Sequence, residues 1–196
     1  DSINAGKLLV TYIGHAGHNV WAGEALFMAS DVAGLTNGNK MPIMLPMTCY
    51  DGFYHYPHLP AANLDALAEV VTRADGKGAV ASWSPTGVGV PAGHGYLERG
   101  FFNAVFQDDD GIVSLGQATA AGKLDLWASG ANLELLDTYL LFGDPALRLP
   151  VEVDIRPHRC GRPLGNRLAV PSFPAAGLNA GLRGHVHELP AVIAQE

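Results

Sequence analysis

Short apolar segments alternate with longer amphipathic segments along the first 150 residues. The short segments have the length and the β-branched, aromatic or aliphatic composition of strands, and they are residues 7–13, 43–48, 79–83 and 146–153. Helical spacing of apolar positions predicts helices over residues 24–35, 61–73, 95–106, 115–128 and 133–141. Strands that alternate with helices predict an α/β fold in which a mostly parallel sheet is covered on both faces.

Polar residues follow the first three predicted strands. They are Gly14-His15, Thr48-Cys49-Tyr50 and Trp83-Ser84-Pro85. Parallel strands end at a common edge of the sheet, and ligand sites of open α/β sheets form in the crevice at that edge. We therefore expect the three clusters to converge. Pro46 lies inside the second predicted strand and argues against a fully paired central position for it.

The composition agrees with strands that are buried on both faces. Charged residues make up 16% of the chain and hydrophobic residues 48%, whereas soluble domains average roughly 25% charged residues. The net charge is −7 and the basic residues form no cluster, which excludes a nucleic-acid-binding surface. The longest stretch without formal charge, 78–97, contains prolines and five glycines, so no membrane span is expected there.

The character of the sequence changes near residue 151. All five basic residues of 151–196 are arginines, and the segment holds five glycines and five prolines without sustained periodicity. We predict one domain over 1–150, followed by an extension, part of a next domain or a poorly ordered tail over 151–196. The chain begins Asp-Ser-Ile-Asn rather than with Met, and we expect it to be a piece of a longer protein.

Cys49 and His15 are the candidate chemical groups of the predicted sheet edge. An imidazole beside a thiol raises the fraction of thiolate, which is the nucleophile, and then protonates the leaving group. Backbone N–H groups at strand ends can stabilise the oxyanion that forms during such a reaction. The alternative for Cys49 is a buried structural thiol. Cys160 lies in the 151–196 segment, and we assign it no catalytic part.

Four segments follow one another in order along the chain: LLVTYIGHAGHNVW, LPMTCYDGFY, GAVASWSPTG and TYLLFGDPALRL. Together they resemble the gingipain-type cysteine peptidases, peptidase family C25, over roughly residues 3–150. The resemblance implies a caspase-like three-layer α/β/α sandwich, incomplete at its N-terminus because the first strands of that sheet would precede Asp1. His15 and Cys49 match the order and spacing of the family's catalytic residues. Phe-Gly-Asp-Pro at 142–145 matches the end of its catalytic domain.

The resemblance also implies an activity. Cys49 would attack a peptide carbonyl to form a thioester, and His15 would act as general acid and base. The backbone N–H groups of Cys49 and Ala16 would form the oxyanion hole. Ala16 stands where the family pattern usually has glycine, and its Cβ penalises positive φ. The alternative is therefore a catalytically impaired member that serves as a peptide-binding or secretion-associated module, and the sheet edge left open by the missing strands favours the same alternative.

Three further residues are candidates for substrate binding. Trp83, Ser84 and Asp51 lie close to the predicted strand ends, and in the family the aromatic residue borders the specificity pocket. Trp83 is equally well explained as a core aromatic residue, and Asp51 as a residue that orients an imidazole or as a solvated loop residue. The implied partners are a protein or peptide substrate and the remainder of the catalytic domain upstream of Asp1, in a secreted or cell-surface protein. P1 specificity stays open because the family's determinants lie upstream.

No cofactor is expected to be required. The pairs His15-x-x-His18 and His55-x-x-His58 would supply four zinc ligands, but neither has the i, i+4 spacing of a helical zinc motif. We interpret His55 and His58 as solvated loop residues, and His18 as a competitor of His15 for the role of base. The acidic run at 108–110 is interpreted as an exposed cluster, with a structural calcium ion as the alternative.

Overall fold

The computed structural model describes residues 2–55, 65–106 and 113–149, together with the backbone of a strand at Ala191–Gln195. The helices are α1 (Ser2–Ala5), α2 (Leu67–Arg73), α3 (Pro91–Phe106), α4 (Leu115–Ser129) and α5 (Leu135–Thr138), with a 3₁₀ helix at Ala29–Gly34. The strands are β1 (Leu9–Ile13), β2 (Ala16–Gly17), β3 (Val20–Trp21), β4 (Phe27–Met28), β5 (Ile43–Met47), β6 (Ala81–Pro85), β7 (Tyr139–Phe142) and β8 (Ala191–Gln195).

The main sheet has the strand order β7-β6-β5-β1-β8. Strands β8, β1, β5 and β6 are parallel, and β7 runs antiparallel to β6. The mostly parallel sheet predicted from the sequence is thus confirmed. Because β8 pairs along the whole of β1, the edge of β1 that faces away from β5 is covered, contrary to the open edge that the sequence suggested.

Side chains alternate between the two faces of the sheet, as the period of a strand requires. Along β1, Leu9 belongs to the core cluster under α3 and α4, whereas Val10 and Tyr12 belong to the cluster under α2 and the 3₁₀ helix. Every described position of β5 and β6 is buried. Burial on both faces explains why the strands carry so little charge, and it produces the three predicted layers.

The predicted helix over 24–35 is wrong. Its first part contributes β4 to a small antiparallel sheet with β2 and β3, and its second part is the 3₁₀ helix. Ala25 has φ 56°, and a positive φ cannot be continued as a right-handed α-helix. Phe27 is buried opposite Trp21, as a cross-strand pair between β3 and β4, instead of lying on a helix face.

The predicted helix over 133–141 and the predicted strand over 146–153 are also corrected. Helix α5 ends at Thr138, and β7 continues antiparallel to β6. A short apolar run fits either structure, and here the free edge of β6 decides for the strand. Within 146–149 the structure forms only an isolated bridge from Ser114 to Arg148, and 150–153 lie outside the described residues.

Pro46 does not keep β5 from the centre of the sheet. The strand pairs with β1 along its whole length, while its register with β6 covers Ile43 and Met44 only. The pairing with β6 therefore ends before the residue that lacks an N–H group. The acidic run at 108–110, the start of the predicted 61–73 helix and all of 151–196 except β8 lie outside the described residues.

Candidate active site

His15 and Cys49 lie at one edge of the main sheet. Strands β1 and β5 are parallel neighbours whose last paired residues are Ile13 and Met47. The Gly14 N–H donates to the Met47 carbonyl at 3.4 Å, so the two strands stay joined up to that edge. His15 lies two residues after Ile13, and Cys49 lies two residues after Met47. His15 is exposed. Cys49 is partly buried and forms no disulfide bond.

The peptide unit between His15 and Ala16 is held in one orientation. Its carbonyl accepts the Tyr12 hydroxyl at 2.7 Å and the Ala22 N–H at 2.8 Å. In a planar trans peptide the N–H points opposite to the C=O. The Ala16 N–H is therefore directed away from Tyr12 and Ala22. The alternation of an antiparallel ladder agrees, because a hydrogen-bonded His15–Ala22 pair makes Ala16–Trp21 a non-hydrogen-bonded pair.

The left-handed backbone lies on Tyr50, not on Ala16. Ala16 is an extended residue of β2, so the strain that its Cβ suggested is absent and that expectation is corrected. Tyr50 has φ 56°, an uncommon conformation for an aromatic residue. Its N–H donates to the Gly87 carbonyl at 2.8 Å, and its carbonyl accepts the Phe53 N–H at 3.0 Å. A strained turn held by its neighbours thus follows Cys49 directly.

The Cys49 thiol contacts the loop after β6. The Gly89 N–H donates to Sγ at 3.2 Å, and Sγ lies 3.8 Å from the Gly89 carbonyl oxygen. A Cβ on Gly89 would lie 2.1 Å from the Thr48 carbonyl oxygen and 2.5 Å from His94 Nε2, so only glycine fits this position. Gly89 follows Cys49 by 40 residues, so no local sequence pattern indicates this contact.

The turn after Cys49 also packs on the Phe-Gly-Asp-Pro motif. The Gly52 N–H donates to the Pro85 carbonyl at 2.8 Å. A Cβ on Gly52 would lie 2.6 Å from the Phe142 ring. Phe142 thus covers the backbone of the turn, which links the fourth resembling segment of the sequence to the cysteine.

Asp51 is buried inside the fold. Its side chain is 1% exposed, and its two carboxylate oxygens accept the Trp21 Nε1–H at 2.5 Å and the Ser84 hydroxyl at 2.8 Å. Burial raises the pKa of Asp51 from its ordinary value of 3.8 to about 6, while the two hydrogen bonds oppose that rise. The prediction that Asp51 contacts substrate is therefore corrected, and so is the alternative of a solvated loop residue.

Trp83 and Ser84 are likewise buried. Trp83 is 1% exposed, with ring centroids of Phe101 and Tyr139 at 5.8 and 5.5 Å from its own. Ser84 is 0% exposed, and its hydroxyl forms hydrogen bonds with the Asp51 carboxylate and with the Ser82 hydroxyl. Neither side chain presents a surface to a substrate. The interpretation of Trp83 as a core aromatic residue is the one that agrees with the structure.

His94 is a buried histidine that the sequence analysis did not single out. It lies on α3, is 6% exposed, and packs against Gly89 and the Tyr139 ring. Burial lowers its pKa from 6.5 to about 4, so the ring is neutral at pH 7. It directly precedes the predicted 95–106 helix, and the apolar pattern of that segment does not distinguish a buried histidine from an exposed one.

The described residues form no group of three or more His, Cys, Asp or Glu side chains that could hold a metal ion. His18 is partly buried in the turn between β2 and β3, and its carbonyl accepts the Leu67 N–H at 2.7 Å. His55 is exposed and lies against the Phe53 ring at 4.1 Å. His58 falls outside the described residues. In the same described part of the chain, no helix combines the length and apolar character needed to cross a membrane.

Comparisons with known proteins agree with this arrangement. The model of peptidase family C25 matches residues 1–150. Gingipain R2 of Porphyromonas gingivalis is 29% identical over 159 residues, which cover 75% of this chain and 20% of that protein. Gingipain R1 of the same species is 28% identical over 159 residues, which make up 15% of its length. This chain thus spans about a fifth or less of the curated relatives it matches.

Solved structures show the same similarity. The crystal structure of the Arg-specific cysteine proteinase gingipain R superposes with a TM-score of 0.65 at 28% identity, over 74% of this chain and 34% of that one. A complex of gingipain pro- and mature domains superposes with a TM-score of 0.58 at 26% identity. The fold is therefore the caspase-like α/β fold that the sequence predicted. The chain belongs to peptidase family C25.

Proposed function

We propose that this chain is part of a cysteine endopeptidase that cleaves peptide bonds through a thioester on Cys49. The observation that supports it best is the register of β1 and β5. Their last paired residues are Ile13 and Met47, and His15 and Cys49 each follow two positions later in the sequence, at the same edge of the sheet. A side-chain thiol and an imidazole at such an edge form the pair that covalent cysteine catalysis uses.

In the proposed reaction the Cys49 thiolate attacks the carbonyl carbon of the scissile peptide. The C–N bond breaks, His15 donates a proton to the leaving amine, and the acyl group stays on Sγ as a thioester. Water then attacks the thioester, His15 accepts a proton from it, and the C–S bond breaks to release the acid and to restore the Cys49 thiolate beside protonated His15. The Gly89 N–H, which donates to Sγ at 3.2 Å, supports a fixed position of the sulfur before attack.

The oxyanion of both steps would be stabilised by the N–H groups of Ala16 and Cys49. The orientation of the Ala16 N–H supports this role, because Tyr12 and Ala22 hold the carbonyl of the same peptide unit on the opposite side. A donor that is fixed before the reaction requires no reorganisation in the transition state. Oxyanion-hole donors of this kind typically contribute about 10²–10³-fold to the rate.

The substrates would be proteins or peptides, and the protein would act as a secreted or cell-surface enzyme without a required cofactor. Parts of the whole protein outside this chain would supply the specificity determinants.

The decisive experiment compares wild type, Cys49→Ala and Cys160→Ala of the whole protein on a peptide library with basic, acidic and apolar P1 residues. We expect Cys49→Ala to lose at least about 10³-fold in rate and Cys160→Ala to keep wild-type cleavage. A thiol-directed peptidyl inhibitor should form its adduct on Cys49. Unchanged cleavage by Cys49→Ala, or an adduct on Cys160 alone, would disprove the proposal.

The same experiment addresses the catalytically impaired binding module. That function predicts peptide binding in the wild type without turnover, even with Cys49 intact. Two expectations favoured that function. The first, backbone strain at Ala16, is absent because Ala16 is an extended residue of β2. The second, an open edge of β1, is not met because β8 pairs with that edge.

A further inference from the structure

A buried hydrogen bond joins the two segments that carry the candidate catalytic residues. Trp21 lies in β3, which forms a hairpin with the strand that begins directly after His15. Asp51 lies two residues after Cys49. The Trp21 Nε1–H donates to Asp51 Oδ1 at 2.5 Å, and both side chains are buried, at 4% and 1% exposure.

We propose that Trp21 and Asp51 are positioning residues whose hydrogen bond sets the separation between the His15 hairpin and the Cys49 turn. The inference rests on the proposed function, because the separation matters only if these two residues act as a pair. Neither side chain touches the substrate. Both act through the segments that they join, beyond the point where the pairing of β1 and β5 ends.

Each end of this hydrogen bond is itself fixed. The Trp21 ring stacks on the Tyr12 ring with centroids 4.7 Å apart and an angle of 7°, and the Tyr12 hydroxyl holds the His15 carbonyl. On the other side, Asp51 accepts the Ser84 hydroxyl, and its carbonyl accepts the Ala68 N–H at 3.1 Å. A displacement of the hairpin would therefore have to break packing as well as the hydrogen bond. Such rigid support is what a catalytic pair requires.

The chemistry of the hydrogen bond distinguishes a conservative replacement from a disruptive one. In Asp51→Asn the amide oxygen still accepts from Trp21, and its NH₂ group donates to the Ser84 hydroxyl. The Ser84 proton then turns toward Ser82, which is allowed because either hydroxyl can donate across their 2.7 Å contact. Asp51→Ala removes the acceptor. Trp21→Phe removes the donor and keeps an aromatic ring on Tyr12.

The test uses the whole protein with two matched controls on α4. Trp127→Phe alters a tryptophan that is 65% exposed, and Asp125→Ala alters an aspartate that pairs with Arg99 at the surface. We expect Trp21→Phe and Asp51→Ala each to lower kcat by about 10–100-fold, with a much smaller change in KM, because misplaced groups lose rate more than binding. Asp51→Asn should keep most of the wild-type kcat, and both controls should match wild type.

The double variant Trp21→Phe, Asp51→Ala should be no slower than the slower single variant, because both changes remove the same hydrogen bond. A second readout needs no peptide turnover. Alkylation of Cys49 by iodoacetamide at neutral pH, followed in a Cys160→Ala background, should slow in Trp21→Phe toward the rate of His15→Ala. Circular dichroism of each variant separates a local effect from loss of the fold.

The outcomes separate this inference from the proposed function. Wild-type kcat and alkylation in Trp21→Phe and Asp51→Ala, with Cys49→Ala inactive, would overturn the positioning role alone. Equal losses in Asp51→Asn and Asp51→Ala would also overturn it, because the carboxylate charge and not the hydrogen bond would then matter. If His15→Ala alkylates as fast as wild type, or Cys49→Ala still cleaves peptide, the proposed function fails and the inference fails with it.

Discussion

The folded chain buries a carboxyl group whose titration lowers stability as pH rises. Burial raises the pKa of Asp51 from 3.8 to about 6. Between these values the unfolded chain has released the proton and the folded chain still holds it, so raising the pH lowers the free energy of unfolding. One pKa unit corresponds to about 1.4 kcal/mol, and the full shift therefore amounts to about 3 kcal/mol.

A buried histidine has the opposite effect over nearly the same pH range. Burial lowers the pKa of His94 from 6.5 to about 4, so the unfolded chain takes up the proton first as the pH falls. Lowering the pH through this window therefore lowers the free energy of unfolding, again by about 3 kcal/mol. Because the two windows overlap and the signs are opposite, the two contributions nearly cancel in the wild-type chain.

Single substitutions should reveal the pH dependence of the free energy of unfolding that each group contributes. Asp51→Asn removes the carboxyl contribution, so the free energy of unfolding should rise by about 3 kcal/mol, relative to wild type, from pH 4 to pH 6. His94→Gln removes the histidine contribution, so the free energy of unfolding should fall by a similar amount, relative to wild type, from pH 4 to pH 6.5. Urea unfolding at half-unit pH steps, followed by tryptophan fluorescence, measures each curve.

The double variant Asp51→Asn, His94→Gln is the control, because it should again run parallel to wild type. Differences between curves remove the contributions of all other titrating groups, which the four proteins share. Parallel curves for wild type and Asp51→Asn would refute the argument that a charged carboxylate is excluded from the interior at this position. An Asp51→Asn curve that falls with pH relative to wild type would refute the sign of the argument.

Two further predictions concern the core between the sheet and α3 and α4. Trp83→Ala should lower the free energy of unfolding by about 3–5 kcal/mol in urea titrations, because the ring is 1% exposed and packed among aromatic residues; a loss below about 1 kcal/mol would contradict its place in the core. Gly122→Ala should cost about 1–3 kcal/mol, because its Cβ would lie 2.5 Å from the Leu97 carbonyl oxygen, whereas Gly95→Ala on open α3 surface should stabilise by about 0.5–1 kcal/mol. The order of the two alanine variants in thermal unfolding checks the second prediction, and a reversed order contradicts it.

The central strands could be predicted because burial on both faces leaves a simple mark on the sequence. Continuous apolar runs closed by Gly or polar residues predicted β1, β5 and β6, and all three are present. The pattern failed where two structures satisfy the same apolar spacing. Residues 24–35 carry an apolar spacing that suits a helix, but Phe27 is buried opposite Trp21 in a pair of two-residue strands instead. Only the long-range packing of that small sheet decides between the two.

Predicting the site from sequence depended on where strands end. Two parallel neighbours end together, so His15 and Cys49 could be placed at one edge from the sequence alone. The burial of Asp51 could not be predicted in the same way. A charged residue in a segment rich in Gly and Tyr predicts exposure, and its burial depends on the Trp21 indole, which lies 30 residues away. A tertiary hydrogen bond of this kind leaves no periodic mark on either segment.

The alanine at position 16 illustrates how local conformation decides what a substitution means. Its Cβ would be costly only if the backbone required positive φ, and glycine would then be needed. Here the N–H direction is set one residue earlier, by two hydrogen bonds to the His15 carbonyl, while Ala16 itself is extended. A side chain is compatible with that geometry, because any L-residue can adopt an extended backbone unless neighbouring atoms crowd its Cβ. Alanine in place of the family's usual glycine is therefore no reason to expect that the proposed oxyanion hole would be impaired.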